Sequence, residues 1–590
     1  MNGKAIRPVD GRETVQVKLP DGRSFEGPRG EPLAAFLREA YPGTDDPVVA
    51  AVVGGTLREL AWPVPRDVEV RPLRVSDSDG MRIYQRSLSL LLIVAVHELH
   101  PEVRLSVDYS VPDGGYYCRL VGRKPFSSAQ LGRIATRMRR LVRADEAIDR
   151  RRMSVEEAVA LFAERGEEEK LALFSGYPGD HVHLYCLRGV CEYAYGYMVP
   201  STGSLRTFAL EAFGDGFILR FPRRSDPAAI QPLRRFAGLR EVFHEYGTWL
   251  EAMGISHVGA LNQVITQDQL RQLVLVAEAL HEQRIAEIAH QVIRQAKRGA
   301  RVVLVAGPSA SGKTTFSKRL AVQMLATGLR PFLLAMDDYF HPRDELPAIQ
   351  DHAIDFDALS ALDSDLLHDH LDALLAGETV TLPHYDFRTG ERRTGTTTRL
   401  APGQVVIAEG IHGLNPELVE RRTPRPFCIF VSALTQLNLD RHTRVPTTDT
   451  RLIRRIVRDA RTRGYSAETT ISMWEKVRAG EKRNIFPYQE EANVMFNSAL
   501  AYELAVMRSI AEPLLLQARK RMARIEAERL LAFLRWFVAC DGDSVPGNSI
   551  LREFIGGSTL ETFSPSVPLR TAVDLTGNGQ EGAMRKEERA

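Results

Sequence analysis

The sequence predicts a multidomain chain: a small β-rich unit in front, an α+β unit in the middle, and an α/β unit with a parallel sheet behind. Three observations carry this reading. Strand and turn signals crowd residues 14–75, helices and strands mix without rhythm over 81–262, and apolar strands alternate with helical stretches from residue 302 onward. A length of 590 residues also fits three or four domains at roughly 150 residues each.

In the first unit, residues 1–75, Val15–Leu19 alternates apolar with polar side chains and Asp21-Gly22 marks a hairpin turn. Pro32–Glu39 places Leu33, Phe36 and Leu37 on one side of a helix, Val48–Val53 reads as a buried strand, and Asp67–Val75 supplies a last strand. Ser76–Gly80 reads as a polar linker to the middle unit, residues 81–262. Arg271–Ala296 is expected to be helical, since Ile285, Ile288, Ala289 and Val292 share one helix face. It leads into Val302–Ala306, a continuous apolar strand, and further strands are expected at Phe332–Ala335, Gln404–Ala408 and Phe427–Val431. Strands this apolar, separated by helices, make residues 271–520 a parallel α/β unit. A helical extension over 521–558 and a polar, disordered tail over 559–590 complete the expected order.

Composition narrows the function. At 44% hydrophobic and 26% charged the chain is of ordinary globular type. Lysine plus arginine (77) against aspartate plus glutamate (75) leaves a net charge of +2, which excludes a histone-like basic coat but not local basic patches. Five cysteines (Cys118, Cys186, Cys191, Cys428, Cys540) are too few and too scattered for a disulfide framework. His181, His183, Cys186 and Cys191 depart from standard zinc-ligand spacing, and the two histidines fit an alternating strand. The longest apolar run, Leu90–Val96, is far short of the ~20 residues of a membrane helix. With no apolar signal-peptide core at the N-terminus, a cytoplasmic protein without membrane contact is expected.

Gly307-Pro308-Ser309-Ala310-Ser311-Gly312-Lys313-Thr314 matches G-x-x-x-x-G-K-[ST], directly after a strand and before a helical stretch. Glycines let the backbone turn its N–H groups toward phosphate oxygens, and the helix N-terminus adds positive potential. The loop from Gly307 through Thr315, with Ser309, Ala310, Ser311, Gly312 and Lys313, is therefore expected to hold ATP. Lys313 supplies charge to the β/γ-phosphates and the Thr314 hydroxyl a ligand for Mg2+. The next strand ends in Asp337-Asp338, where a carboxylate can accept a proton from an attacking hydroxyl, although adjacent aspartates also suit a turn or a helix cap. Glu409 ends a later apolar strand, as expected for a group near the metal. Arg451, Arg454, Arg455 and Arg458 share a helical face, with Arg461 and Arg463 close behind. Asp459 and Glu468 are the only acids between Arg451 and Glu468, which favours an arginine lid over transferring phosphates above a solvated face.

Over about residues 301–516 these segments, with MDDYF, Asp355-Phe356-Asp357, Leu382–Phe387, AEGIHG and RLIRRIVRDARTRG, resemble the uridine kinase and phosphoribulokinase family of P-loop kinases. The resemblance implies that Asp337 is the general base and that Asp357 and Arg455 hold ribose hydroxyls. It further implies that Tyr385 and Phe387 line a base pocket, that Arg458 and Arg463 belong to the lid, and that Glu409 acts near Mg2+. The implied reaction is phosphorylation of a nucleoside or other small hydroxyl substrate by ATP, and a homo-oligomer is expected. The pyrimidine-reading positions of that family are replaced here by Gly390 and Met473, and Tyr465 stands where a second lid arginine is expected. Base and acceptor are left open.

Residues 14–74 resemble the TGS domain, a β-grasp module of threonyl-tRNA synthetases, and residues 81 to about 250 resemble the editing domain that follows it. The matching segments are Ser87–Pro101, Asp113–Tyr117, Phe162–Glu167 and Gly196–Pro200. Editing requires a His-x-x-x-His pair and a later Cys and His. Here the pair falls on Arg86 and Leu90, and the later segment reads Ala194-Tyr195-Gly196-Tyr197-Met198, so deacylation of tRNA is not expected. RNA remains a candidate partner for residues 1–262, through the basic stretch Arg133, Arg137, Arg139, Arg140 and Arg143, although a solvated helix face suits these arginines slightly better. The alternative to a kinase is an RNA- or ribosome-binding regulator that uses the ATP site as a switch.

Overall fold

A computed structural model describes residues 12–234, 236–345, 358–420 and 425–565. Asp355 and Asp357 lie outside the described residues, as does the tail beyond residue 565.

The front unit is a five-stranded mixed sheet carrying one helix. In spatial order its strands are Ser24–Pro28, Thr14–Lys18, Val68–Arg74, Val48–Val53 and Thr56–Glu59. The first strand of the chain runs parallel to the last, with Val17 opposite Val68, and the other pairings are antiparallel. Helix Leu33–Ala40 buries Leu33, Phe36, Leu37 and Ala40, the spacing of one helical face.

Ser76–Gly80 is not a linker. Helix Ser78–Leu99 begins inside it, and a Cβ on Gly80 would stand 1.8 Å from the Arg74 carbonyl oxygen. The helix therefore starts hard against the last strand of the front unit, a contact that the polar composition disguises. In the middle unit this helix underlies two antiparallel sheets, one of Ala209–Phe213, Gly216–Arg220, Gly115–Leu120 and Leu105–Val111, the other of Val190–Tyr193, His181–Leu187 and Asp149–Ser154.

The rear unit contains the expected parallel sheet. Its order is Pro331–Ala335, Val405–Glu409, Val302–Ala306, Phe427–Ser432 and Val494–Asn497, and every neighbouring pair is parallel. Val302–Ala306 is buried along its whole length, which is why its sequence is an unbroken apolar run. Two elements carry little sequence signal: the four-residue edge strand Val494–Asn497 and the hairpin Thr379–Asp386/Glu391–Arg399, rich in Thr and Arg and largely exposed on its second strand.

Helix Arg521–Leu534 is wedged between units rather than appended. Leu530, Phe533 and Leu534 share a core with Phe162, Leu173 and Leu250 of the middle unit and with Phe316 and Leu452 of the rear unit. Arg82 pairs with Glu526 at 2.8 Å and Arg529 with Asp449 at 2.6 Å, joining the same three parts by charge. Residues 559–565, expected in a disordered tail, are packed: Thr559 N donates to Gly547 O and Lys318 Nζ donates to the carbonyl oxygens of Leu560 and Glu561. No described helix is long and apolar enough to cross a membrane.

Candidate active site at the carboxyl edge of the parallel sheet

Strand Val302–Ala306 ends in a loop whose path only small residues allow. A Cβ on Gly307 would lie 2.0 Å from the Val431 carbonyl oxygen of the adjacent strand. Ala310 (φ 58°) and Gly312 (φ 87°) both sit in the left-handed region, which curls the loop before helix Lys313–Ala326 begins. Such a curl points successive N–H groups inward as an anion nest at a helix N-terminus.

The loop is held from behind by buried charge. Ser309 N donates to Glu481 Oε1 at 3.1 Å, Arg451 Nε to Ser309 O at 3.0 Å, and Arg455 Nη1 to Ser309 Oγ at 2.9 Å. Arg454 Nη1 donates to Ala310 O, and Ser498 Oγ to Ser311 O. Arg451 is paired with Glu481, and Arg454 with Glu503 at 2.6 Å. This corrects the reading of the arginine stripe as a lid. Helix Thr447–Thr462 is buried, Arg451 and Arg454 brace the loop, and their counter-charges come from acids far along the chain. Arg458, Arg461 and Arg463 alone of the stripe line the cavity in front of the loop.

That cavity, about 330 Å³, gathers Ser309 through Thr315, Asp337, Glu409, Arg458 and Arg463. Thr314 Oγ1 donates to Glu409 Oε1 at 2.6 Å, so the two expected metal ligands touch. Burial pushes Glu409 up to about 7; Asp337 adds to the rise, while Lys313 and the Thr314 hydrogen bond oppose it. Burial, with Arg458 next in weight, lowers Arg463 to about 10, so it keeps its charge near neutrality. Asp459 sits among Arg455, Arg458 and Arg463; despite burial, their charge holds its carboxyl below the usual range. The adjacent aspartates divide two roles. Asp338 Oδ1 accepts from Tyr385 N and meets His384 Nδ1, both at 3.1 Å, and so fixes the hairpin, whereas Asp337 lines the cavity.

Tyr385 and Phe387 do not line the phosphate cavity. They form a ring cluster with Phe340, the Tyr385 and Phe387 centroids 5.0 Å apart, and Arg463 lies 4.6 Å over Phe387. Gly390 is covered by Arg343, whose N donates to Gly390 O at 2.9 Å and whose Nε is 2.7 Å from where a Cβ would stand. A histidine there would collide with Arg343, and Met473 is absent from the cavity lining.

Sequence reasoning missed part of the wall. Arg552, Glu553, Gly556, Ser558 and Leu560 also line the cavity, and Glu553 Oε2 accepts from Thr315 N at 3.1 Å. Arg461 clamps this segment by donating to the Glu553 and Phe554 carbonyl oxygens. Nothing in the loop motif signals a partner so distant in sequence. Cys186 and Cys191, set aside as zinc ligands on their spacing, face each other across a hairpin and are bonded together. Glu167, Glu192 and His442 lie close enough to hold an ion, but the ammonium of buried Lys170 already bridges the two carboxylates, 2.6 Å from Glu192.

Residues 302–504 match the phosphoribulokinase / uridine kinase family. The N-terminal part is similar to threonine–tRNA ligases. One of them, from Burkholderia vietnamiensis, is 32% identical over 199 residues, covering 33% of this chain and 31% of the ligase. The chain thus spans about a third of the length of the curated relatives it matches. Among solved structures, a "Possible Uridine Kinase" from Bacillus stearothermophilus is 18% identical, covering 36% of this chain and 100% of that one, with a TM-score of 0.24. D-glycerate 3-kinase from Cryptococcus neoformans is 16% identical, covering 45% and 89%, with a TM-score of 0.21.

Proposed function

We propose that the chain is an ATP-dependent kinase that transfers the γ-phosphoryl group to a hydroxyl of a nucleoside or related small ribose compound. The observation that supports this best is the single cavity holding the glycine-rich loop, Asp337, Glu409, Arg458 and Arg463 together. Loop N–H groups and Lys313 hold the phosphates in place. Asp337 takes the proton of the acceptor hydroxyl as its oxygen bonds to the γ-phosphorus, and the bond to the bridging oxygen breaks to leave ADP. Lys313, Arg458 and Arg463 stabilise the charge that develops on the transferring group. Thr314 and Glu409 offer oxygen ligands only, a donor set that suits Mg2+, which when bound neutralises phosphate charge. The ring cluster of Tyr385 and Phe387 is the proposed acceptor pocket, with Asp357 and Arg455 as ribose-holding residues. Arg343 over Gly390 stands where the related kinases read a pyrimidine, so the preferred acceptor need not be uridine.

ATP consumption by the full chain with magnesium, across a panel of nucleosides and small sugars, tests the reading. Turnover on one acceptor, lost by orders of magnitude in Lys313→Ala and Asp337→Asn, is expected. Near-normal turnover in Lys313→Ala would refute the mechanism.

A second reading, an RNA-binding regulator, is favoured by one observation. Arg133, Arg139, Arg140 and Arg143 are exposed on helix Ser128–Ala144 and form no ion pair among the described residues. Salt-dependent RNA retention by the full chain, reduced when these arginines are changed to glutamine, is the result that reading requires.

A further inference from the structure

We propose that a cavity between the middle and rear units is a second ligand site, for a small phosphomonoester, with Arg86 and Arg444 as its anion-holding side chains. The cavity measures about 280 Å³ and is distinct from the phosphate cavity, sharing no lining residue with it. Helix Ser78–Leu99 forms one wall, the segment Ala194–Met198 another, and His442–Asp449 of the rear unit closes it. Arg86, Leu90, Ala194 and Met198, the four positions where the editing-domain resemblance would put polar groups, all line it, as does Tyr195.

The charge inventory of that pocket does not close. Arg82 is paired with Asp79 and Glu526, Arg529 with Asp449 and Glu526, Arg478 with Glu481, and Glu192 with Lys170 and His442. Every acid lining the cavity is thereby matched. Arg86 and Arg444 are not: among the described residues neither meets a carboxylate. Arg86 donates to the Tyr197 carbonyl oxygen, lies 5.6 Å over the Tyr195 ring, and packs so closely on Gly196 that a Cβ there would be 2.8 Å from the guanidinium. Arg444, only 9% exposed, donates through Nε to Asp108 O at 3.2 Å and lies 4.6 Å over the Tyr116 ring. Tyr116 stands within electrostatic reach of both guanidiniums.

Arginine does not shed its proton on burial, so two such groups facing one cavity call for an anion. A phosphomonoester, with three terminal oxygens, can accept from both guanidinium forks at once, which favours it over a carboxylate. The planar guanidinium fork matches phosphate oxygens, and Tyr116, Tyr195, Gln85 and Ser89 supply neutral partners and ring surface for the organic part. The site also abuts Pro446, Thr448 and Asp449, where helix Thr447–Thr462 begins. That helix carries Arg451, Arg454 and Arg455 to the phosphate loop, so an occupant would rest on the element that braces the loop.

Calorimetric titration of the full-length Lys313→Ala protein tests the proposal, since that background weakens phosphate binding at the loop. The probes are inorganic phosphate and ribose 5-phosphate. Binding of at least one probe is expected, weakened about tenfold or more by Arg86→Gln and by Arg444→Gln. Binding by inorganic phosphate alone would identify a bare-anion site, and tighter binding of ribose 5-phosphate would show that the organic group is read; both uphold the anion site, and the second its full form. Absence of binding by both probes, or equal affinity in the glutamine variants, overturns it. Should Arg86→Gln unfold the protein, Arg444→Gln decides.

Discussion

On the proposed kinase reading, Glu553 holds a place that ATP needs. Its Oε2 accepts from Thr315 N at 3.1 Å, at the first turn of the helix that follows the loop, where a phosphate oxygen would bind. ATP must displace this carboxylate or share the cavity with it. Displacement forfeits a charge-assisted hydrogen bond, ~1.5–3 kcal/mol, and a favourable helix-terminus contact, ~0.3–1 kcal/mol, partly offset as the freed carboxylate is rehydrated. A net cost of about 1–2 kcal/mol is roughly five- to thirtyfold in affinity, since 1.4 kcal/mol is tenfold. Glu553→Gln keeps the shape and removes the charge. The KM for ATP in the coupled kinase assay is therefore expected to fall by about that factor, with kcat little changed, and direct ATP titration should show the same shift. An unchanged or raised KM would refute the reasoning and make Glu553 a plain wall residue.

Three further outcomes follow from the site. Because Glu409 is raised to about 7, metal binding must expel its proton below that pH; apparent Mg2+ affinity should fall about tenfold from pH 7 to pH 5.8 and hold steady above pH 8, read by activity against magnesium. Arg454→Met leaves Glu503 buried and unpaired, which should cost about 3–5 kcal/mol in chemical denaturation, while Arg454→Met with Glu503→Gln recovers part of the loss. Arg343→Ala should raise the acceptor KM severalfold and leave the ATP KM unchanged, because Arg343 meets Gly390 beside the ring cluster rather than the phosphate cavity.

What the sequence made legible was whatever repeats a local rule. The loop motif, the apolar strands and the helix before them obey spacing rules that depend on neighbours in the chain. Asp337 and Glu409 could be placed near the loop because strand ends of a parallel sheet share one edge, whereas Arg458 and Arg463 were placed there by the arginine stripe and the kinase resemblance. Arg451 and Arg454 defeated the same reasoning. Charged side chains at helical spacing ordinarily face water, and their partners Glu481 and Glu503 lie on other elements, where no periodicity points to them. Glu553 was invisible for a similar reason: a single acid gains meaning only when the fold sets it on Thr315 N.

The same long-range pairing bears on whether the front half is a separable module. Trp536 stacks on Tyr177 at 4.4 Å and meets Tyr193 and Phe174 at 4.8 and 5.4 Å, all three belonging to the middle unit. Asn262 Nδ2 donates to Trp536 O, and Val538 N returns a bond to Asn262 Oδ1, each at 2.8 Å. Cutting the chain after residue 266 removes Trp536, Phe537, Leu530 and Phe533 from that core and Ile525 from the core beneath helix Ser78–Leu99. At ~1.5–3 kcal/mol for each large apolar side chain buried, the loss is on the order of 10 kcal/mol, comparable to the whole stability of a domain, ~5–15 kcal/mol. A fragment of residues 12–266 should therefore bind ANS and unfold without a sharp thermal transition, where the full chain melts cooperatively. A cooperative transition in the fragment would show instead that the front half holds itself together, and that its contacts with the rear unit were added to a domain already stable alone.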